Sequence, residues 1–349
     1  MLRNLDSAIQ AISTVVGDFG CLESLSVPGL NTMALVQVSQ LSSLRFFGIS
    51  FAGAIAPFLE AKTPDWFPAL SDLAVLPMDM ATALIPTLTN RHLTEFSIPD
   101  ASTYTESSWP TEQIAHYFYS ALGKHCAHSS LREISIGGTF VNSNATPTAE
   151  QVSLYAVDGT ILNPLLSFGN LSRVALTSPV GFDLDDATIL LMARAWPRVE
   201  FLSLTASPCR HMPSRVTLEG LFALAKYCPA LNTLDLSFDA KVIPNKGDDE
   251  KQAASQNILT YFAVDASPVG DARRVAEFLA AIFPRLARIE TLHELLVSQA
   301  RWDAVDHVPD ADVVVSHNAW QEVTTFLPST SISALMARIE SEGDALDEY

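Results

Sequence analysis

Residues 228–238 read CPALNTLDLSF, and residues 196–204 read WPRVEFLSL. Aligned on the proline, Cys228, Pro229, Leu231, Leu234 and Leu236 match Trp196, Pro197, Val199, Leu202 and Leu204. The shared core is apolar-x-x-apolar-x-apolar. It recurs as LESLSV, LRFFGI, LSDLAV, LTEFSI, LREISI and LSRVAL, starting at 22, 44, 70, 93, 131 and 171, and beyond the opening pair as LTYFAV at 259. A degenerate LARIET follows at 286. Successive starts lie 22 to 40 residues apart. Most fall near the roughly 20–29 residues of a leucine-rich repeat, and the longer ones require inserted loops.

The pattern fits a short strand in a stack. Its last two apolar positions alternate with polar ones and point into an interior, while the first closes the turn entering the strand. Helical stretches separate the strands: EQIAHYFYSALGKHC, DDATILLMARAWP, TLEGLFALAKYCP and DARRVAEFLAAIFP. Leu218, Leu221, Phe222, Leu224 and Ala225 make one apolar face at helical spacing. Asp185 or Asp186 suits a helix start. Pro68, Pro197, Pro229 and Pro284 each follow an aromatic residue or cysteine and mark a corner from helix to strand, because proline cannot continue a helix. An ordinary doubly wound sheet needs neither the recurring motif nor these corners. The expected fold is therefore α/β, a leucine-rich-repeat solenoid of about nine or ten repeats, with a curved parallel sheet inside and helices outside. Its expected divisions are a capping helix over 1–20 covering the first strand, the solenoid over 21–295, a closing segment over 296–328 and an acidic, disordered tail over 329–349.

Composition narrows the functional classes. The 349 residues are 48% hydrophobic and 17% charged, which describes a folded chain. A net charge of −18 repels phosphate backbones and argues against nucleic acid as a partner. Residues 301–349 carry ten carboxylates against two arginines. Cys21, Cys126, Cys209 and Cys228 form no Cys-x-x-Cys pair and read as reduced, buried thiols of a cytoplasmic or nuclear protein. Asn4, Asp6, Ser7 and Gln10 interrupt any apolar leader core, and no apolar run reaches membrane-spanning length.

Segments 161–204 (ILNPLLSFGNLSRVALTSPVGFDLDDATILLMARAWPRVEFLSL) and 215–240 (RVTLEGLFALAKYCPALNTLDLSFDA) resemble the leucine-rich-repeat region of the F-box-like proteins of mushroom-forming fungi. CLESLSVPGL at 21–30, VAEFLAAIFPRLARIE at 275–290 and WQEVTTFLP at 320–328 extend the resemblance over about residues 20–328. It implies a substrate receptor whose F-box binds a Skp-type adaptor of a cullin-RING ubiquitin ligase while the repeats bind the target. No F-box segment precedes Cys21. Adaptor and cullin are thus expected only if an F-box lies upstream; otherwise the ligase arm has been lost and the chain is a free-standing scaffold.

The outward strand positions give the candidate contacts of the concave face. One row reads Ser24, Phe46, Asp72, Glu95, Glu133, Arg173, Phe201, Thr233 and Tyr261; its neighbour is small and flat, and includes Ser97, Ser135 and Asp235. Asp72, Glu95, Glu133, Arg173, Phe201, Thr233, Asp235 and Tyr261 are the candidate partner-binding residues, since aromatics and arginine are enriched at binding hot spots. They fit a protein segment carrying basic residues beside an apolar anchor; the alternative is ordinary solenoid surface. No catalytic, cofactor-binding or metal residue is assigned; a hydrolase or metal enzyme is the remote alternative, and it would need a convergent cluster of titratable groups in a pocket. Nucleophile elbow, dinucleotide, P-loop and His-Glu-x-x-His signatures do not occur. His125, Cys126 and His128 lack a second ligand pair at zinc spacing. Asp183, Asp185 and Asp186 would need glycine at Thr188 and glutamate at Arg194 to be a calcium loop, and read instead as helix caps. Asn144 and Asn170 match the glycosylation triplet and are expected to be unused. KVIPNKGDDEKQAASQ at 241–256 and GGTFVNSNATPTAEQ at 137–151 read as flexible rim loops.

Overall fold

A computed structural model describes residues 2–16, 18–50, 66–89, 91–99, 109–137, 148–206, 213–303 and 310–327. Asn144, Cys209, most of the 137–151 insertion and the 329–349 tail lie outside the described residues.

Each of the ten motifs forms a strand beginning two residues after the motif does. In chain order these are β1 (Ser24–Val27), β2 (Phe46–Ile49), β3 (Asp72–Val75), β4 (Glu95–Ile98), β5 (Glu133–Ile136), β7 (Arg173–Ser178), β9 (Phe201–Ala206), β10 (Thr233–Leu236), β11 (Tyr261–Asp265) and β12 (Arg288–Thr291). They form one ten-stranded sheet in that same order. Every adjacent pair is parallel, and Thr233 of β10, for example, lies between Phe201 and Tyr261. Two short strands, β6 (Val157–Asp158) and β8 (Phe182–Asp183), pair separately beside it. Sequential, all-parallel pairing of this kind is consistent with a solenoid.

Alternation decides which side of the sheet is dry. Phe47, Leu73, Phe96, Ile134, Val174, Leu202, Leu234 and Phe262 form one buried row, and Ile49, Val75, Ile98, Ile136, Leu176, Leu204, Leu236 and Val264 form the next. The strands supply one side of a single core and helices supply the other. These are α1 (Leu2–Val16), α2 (Thr32–Ser39), α3 (Met78–Leu84), α4 (Glu112–His125), the short α6 (Gly159–Leu162), α7 (Asp186–Ala195), α8 (Leu218–Tyr227) and α10 (Ala272–Ile282), while the short helices α5 (Ala149–Tyr155) and α9 (Asp248–Ala254) lie outside that core. Each fully buried Leu, Val or Phe contributes about 1.5–3 kcal/mol relative to exposure.

The strand entrances repeat one hydrogen-bond device. At all nine junctions a single carbonyl accepts two successive N–H groups of the next strand's entry: Glu200 O takes Asn232 N and Thr233 N at 2.8 and 3.2 Å, and Asn232 O takes Thr260 N and Tyr261 N at 3.0 and 3.4 Å. The corners repeat as well. Trp196, Cys228 and Phe283 close their helices with similar backbone angles (φ/ψ −118/61, −115/71 and −131/68). Each then accepts from the residue three further on, Val199, Leu231 or Leu286. Cys228 leans on the corner before it, its thiol reaching Ala193 O at 3.6 Å. Cys126 also ends a helix but leaves in extended geometry (φ/ψ −84/145), without a proline.

Neighbouring helices are tied at their starts. Asp185 caps α7 by accepting from Thr188 N. Asp186 turns to the next unit, accepting from Thr217 N and Thr217 Oγ1 at 2.7 Å each and from Gly220 N at 2.9 Å. A Cβ on Gly220 would stand 2.9 Å from that carboxylate and 2.8 Å from Val216 Cγ1, so glycine permits the approach.

Two features differ from the sequence expectations. Cys21 is exposed, while the Cys126 and Cys228 thiols are buried and pushed up to about 12 by burial. The polar stretch 241–256 folds α9, pinned by Lys246 to Glu219 at 3.0 Å and by buried Gln256, whose amide bonds Leu231 O, Ile258 N and Leu259 N. Polarity marked it as surface, and those long-range contacts have no local sequence signature. The N-terminal helix α1 packs beside α2, where Ser13 Oγ accepts from Asn31 N.

The C-terminal end is closed by α11 (Leu292–Asp303) and α12 (Ala311–Phe326). Trp320 is buried edge-on against Phe238, and its indole N–H and the Ser316 hydroxyl both donate to Ser267 O, at 2.8 and 2.7 Å.

Replacing Asp186 by alanine strands the Thr217 amide, leaves Gly220 N with the Thr217 carbonyl alone, and removes a carboxylate from a helix start. We expect a loss of about 2 kcal/mol in urea unfolding, against within about 0.5 kcal/mol for exposed Asp249→Ala.

Candidate functional site

The face of the sheet opposite the core carries the outward rows. In a parallel sheet, residues in register stand about 4.8 Å apart on successive strands, so each row is a ladder. The pairings run Phe46–Asp72–Glu95–Glu133–Arg173–Phe201–Thr233–Tyr261 without a slip. The neighbouring ladder runs Gly48–Ala74–Ser97–Ser135–Ala175–Ser203–Asp235–Ala263. Seven candidate residues thus share one ladder, and Asp235 stands one ladder over.

Three carboxylates occupy consecutive rungs. Asp72 is held by Ser71 Oγ and Thr94 Oγ1, both at 2.8 Å. The Glu95 and Glu133 carboxylates make no hydrogen bond or ion pair with any described residue. Burial first, then the charges of Glu133 and Asp72, raise the Glu95 carboxyl above its ordinary range, with Arg173 opposing them. Arg173 does not neutralise the trio, because its guanidinium lies 3.8 Å above the Phe201 ring in a cation–π contact. The order of chemistries is aromatic, acid, acid, acid, then arginine on aromatic.

The second half of the face is a network that extends to groups sequence reasoning missed. Tyr261 donates its hydroxyl to Glu290 on β12, and Arg288 pairs with the same carboxylate at 2.7 Å. Burial foremost, then Glu290, pushes the Tyr261 phenol up. Arg288 and Glu290 continue the two ladders by one rung, and extending the alternation through the degenerate LARIET motif would have found them. Asp235 accepts from Ser203 Oγ at 3.1 Å. Burial, with the charges of Asp265 and Glu290 adding and the Ser203 bond opposing, pushes the Asp235 carboxyl up to about 7. Asp265 sits where the β11–β12 register shifts, with left-handed backbone (φ 53). At the strand ends beside it a shallow cleft of about 350 Å³, counted with its open mouth, is lined by Phe182, Leu204, Val216, Leu236 and Asp265 among others.

The other polar groups weighed from sequence do not converge. His125 Nδ1 meets Thr89 Oγ1 at 3.0 Å, His128 Nε2 meets Gly123 O at 2.6 Å, and the Cys126 thiol points into the core. Asp183 pairs with Arg215 at 2.7 Å. Asn170 bridges Ser129 O and the Arg198 guanidinium. No helix of the described residues is long and apolar enough to cross a membrane.

Asp235 sets a pH dependence whose sign is fixed. Its carboxyl binds a proton more tightly when folded than the ordinary 3.8 of an unfolded chain, so its contribution falls as pH rises from about 4 to about 7 and is level above that. Asp235→Asn should therefore stabilise the protein at pH 8 by roughly 1–3 kcal/mol and be near neutral at pH 4, as read from urea midpoints at both values.

No family model matches the chain, and no curated protein matches it. Among solved structures it is similar to one described as the crystal structure of the Rad7 and Elc1 complex in yeast, at 15% sequence identity and a TM-score of 0.32, covering 82% of this chain and 81% of that one.

Proposed function

We propose that this chain is a leucine-rich-repeat solenoid of about nine or ten repeats that recognises another protein through the outward face of its sheet, and that it is not an enzyme. The observation that carries the reading is the Asp72–Glu95–Glu133 ladder: three carboxylates on adjacent strands, two of them without a partner among the described residues. Like charges stacked at rung spacing are unfavourable, and a basic segment relieves them. The aromatic and arginine rungs on either side supply the residue types on which interface energy concentrates.

The cellular setting rests on the sequence resemblance described above. In that setting the chain is the substrate-binding part of an F-box-type ubiquitin ligase receptor in the cytoplasm or nucleus, and joins a Skp-type adaptor and cullin if an F-box lies upstream. A free-standing scaffold or adaptor is the second reading. Affinity capture with the full chain separates the two, since adaptor and cullin are recovered with a receptor and not with a scaffold.

Charge reversal tests the face itself. Glu95→Lys combined with Glu133→Lys should reduce recovery of the chain's protein partners at least tenfold in quantitative capture, whereas Asp249→Lys on α9 should leave it unchanged. Undiminished recovery by a folded double variant would count against the reading.

A further inference from the structure

We infer that the segment recognised by this face is an α-helix laid across the strands, bearing one apolar, three basic and one acidic residue along a single side. The inference rests on the proposed recognition role and adds the form and order of the partner.

Rung geometry is the first reason. From Phe46 through Asp72, Glu95 and Glu133 to Arg173, the ladder presents contacts at about 0, 4.8, 9.6, 14.4 and 19 Å. A helix rises about 1.5 Å per residue, and its positions 1, 4, 8, 11 and 15 lie on one side at about 0, 4.5, 10.5, 15 and 21 Å. The two series agree within about 2 Å, less than the reach of a lysine side chain. An extended chain repeats its side chains on one side every ~6.7 Å and is out of step by about 4 Å at the second rung.

Backbone chemistry is the second. A peptide lying on the face of a sheet, unlike one added at its edge, finds no free backbone groups to bond. The ladder beneath it offers Ala74, Ser97 and Ser135, hence few hydroxyls, so an extended backbone would leave its own polar groups unsatisfied on docking. A helix satisfies them internally, and the low trough of small residues admits its cylinder.

The chemistry along the ladder fixes direction and order. The half-buried Phe46 ring takes the apolar residue, Asp72, Glu95 and Glu133 take the three bases, and Arg173, held on Phe201, takes the acid. Reversing the helix would set its acid against the Phe46 ring and its apolar residue against Arg173.

Three peptides of identical composition, about 16 residues long and titrated against the full chain by fluorescence anisotropy at one ionic strength, test this. The first places the five residues in the order above, the second distributes the same residues around the helix, and the third keeps the order but moves the single proline that all three carry from the N-terminus to the centre. The first should bind at least tenfold more tightly than either other peptide. That preference should vanish with Glu95→Lys plus Glu133→Lys, or with the gentler Glu95→Gln plus Glu133→Gln should the lysines impair folding. Equal affinity for all three, or binding of none, would overturn the inference. If partner capture still depends on Glu95 and Glu133 while the peptides are indistinguishable, recognition by the face stands and its helical form falls.

Discussion

A short strand with one apolar side cannot bury that side alone, and lateral stacking is the constraint from which the rest of this molecule follows. Each of the sheet's first nine strands points two apolar side chains into a shared interior, β12 points Ile289 and Thr291 into it, and helices cover its other side. Pairing must be parallel and in step, because a slip of one residue would turn the buried rows outward. The doubled hydrogen bond at each strand entrance enforces that step at all nine junctions. Registered ladders on the outer face are a by-product: once the inner rows align, the outer ones cannot do otherwise. The candidate binding surface is therefore written by the same alternation that builds the core.

Regularity is also what made the molecule readable. All ten motifs gave strands, and the outward rows fell at common register, because an alternation of period two is local and carries directly into the sheet. The proline corners at Trp196, Cys228 and Phe283 were legible for the same reason, since proline acts on its immediate neighbours. What escaped reading depends on contacts between units. Nothing near Asp186 announces that its carboxylate serves the helix of the following unit rather than its own, and nothing in 241–256 announces that Gln256 will be buried under Leu231 O.

The candidate site divides along the same line. Its membership was legible, as counting two residues into each motif finds Asp72 through Tyr261. Its electrostatics were not. Arg173 stands one rung from Glu133 and reads as its counter-ion, yet its guanidinium lies over the Phe201 ring, and its pull on Glu95 is outweighed by burial and the neighbouring acids. Asp235 looks like one more surface acid in sequence, whereas Ser203, Asp265 and Glu290 around it produce a carboxyl that titrates near neutrality. Side-chain choice among several reachable neighbours belongs to three dimensions.

The unequal ends of the stack give the molecule a direction. At the C-terminal end the indole of Trp320 seals Phe238 and is fastened to Ser267 O. At the opposite end Ser24 and Ser26 are exposed and Leu25 is only half-buried, so β1 holds its place chiefly through β2. Thermal fraying of such an array starts where a unit has one neighbour and a thin interior, and it proceeds inward unit by unit. Strands β2 to β7, which bear the carboxylate trio and Arg173, stand between that loose margin and the sealed one. The molecule would loosen from the margin nearer its candidate contacts, and a partner spanning those strands would act as a clasp against unravelling.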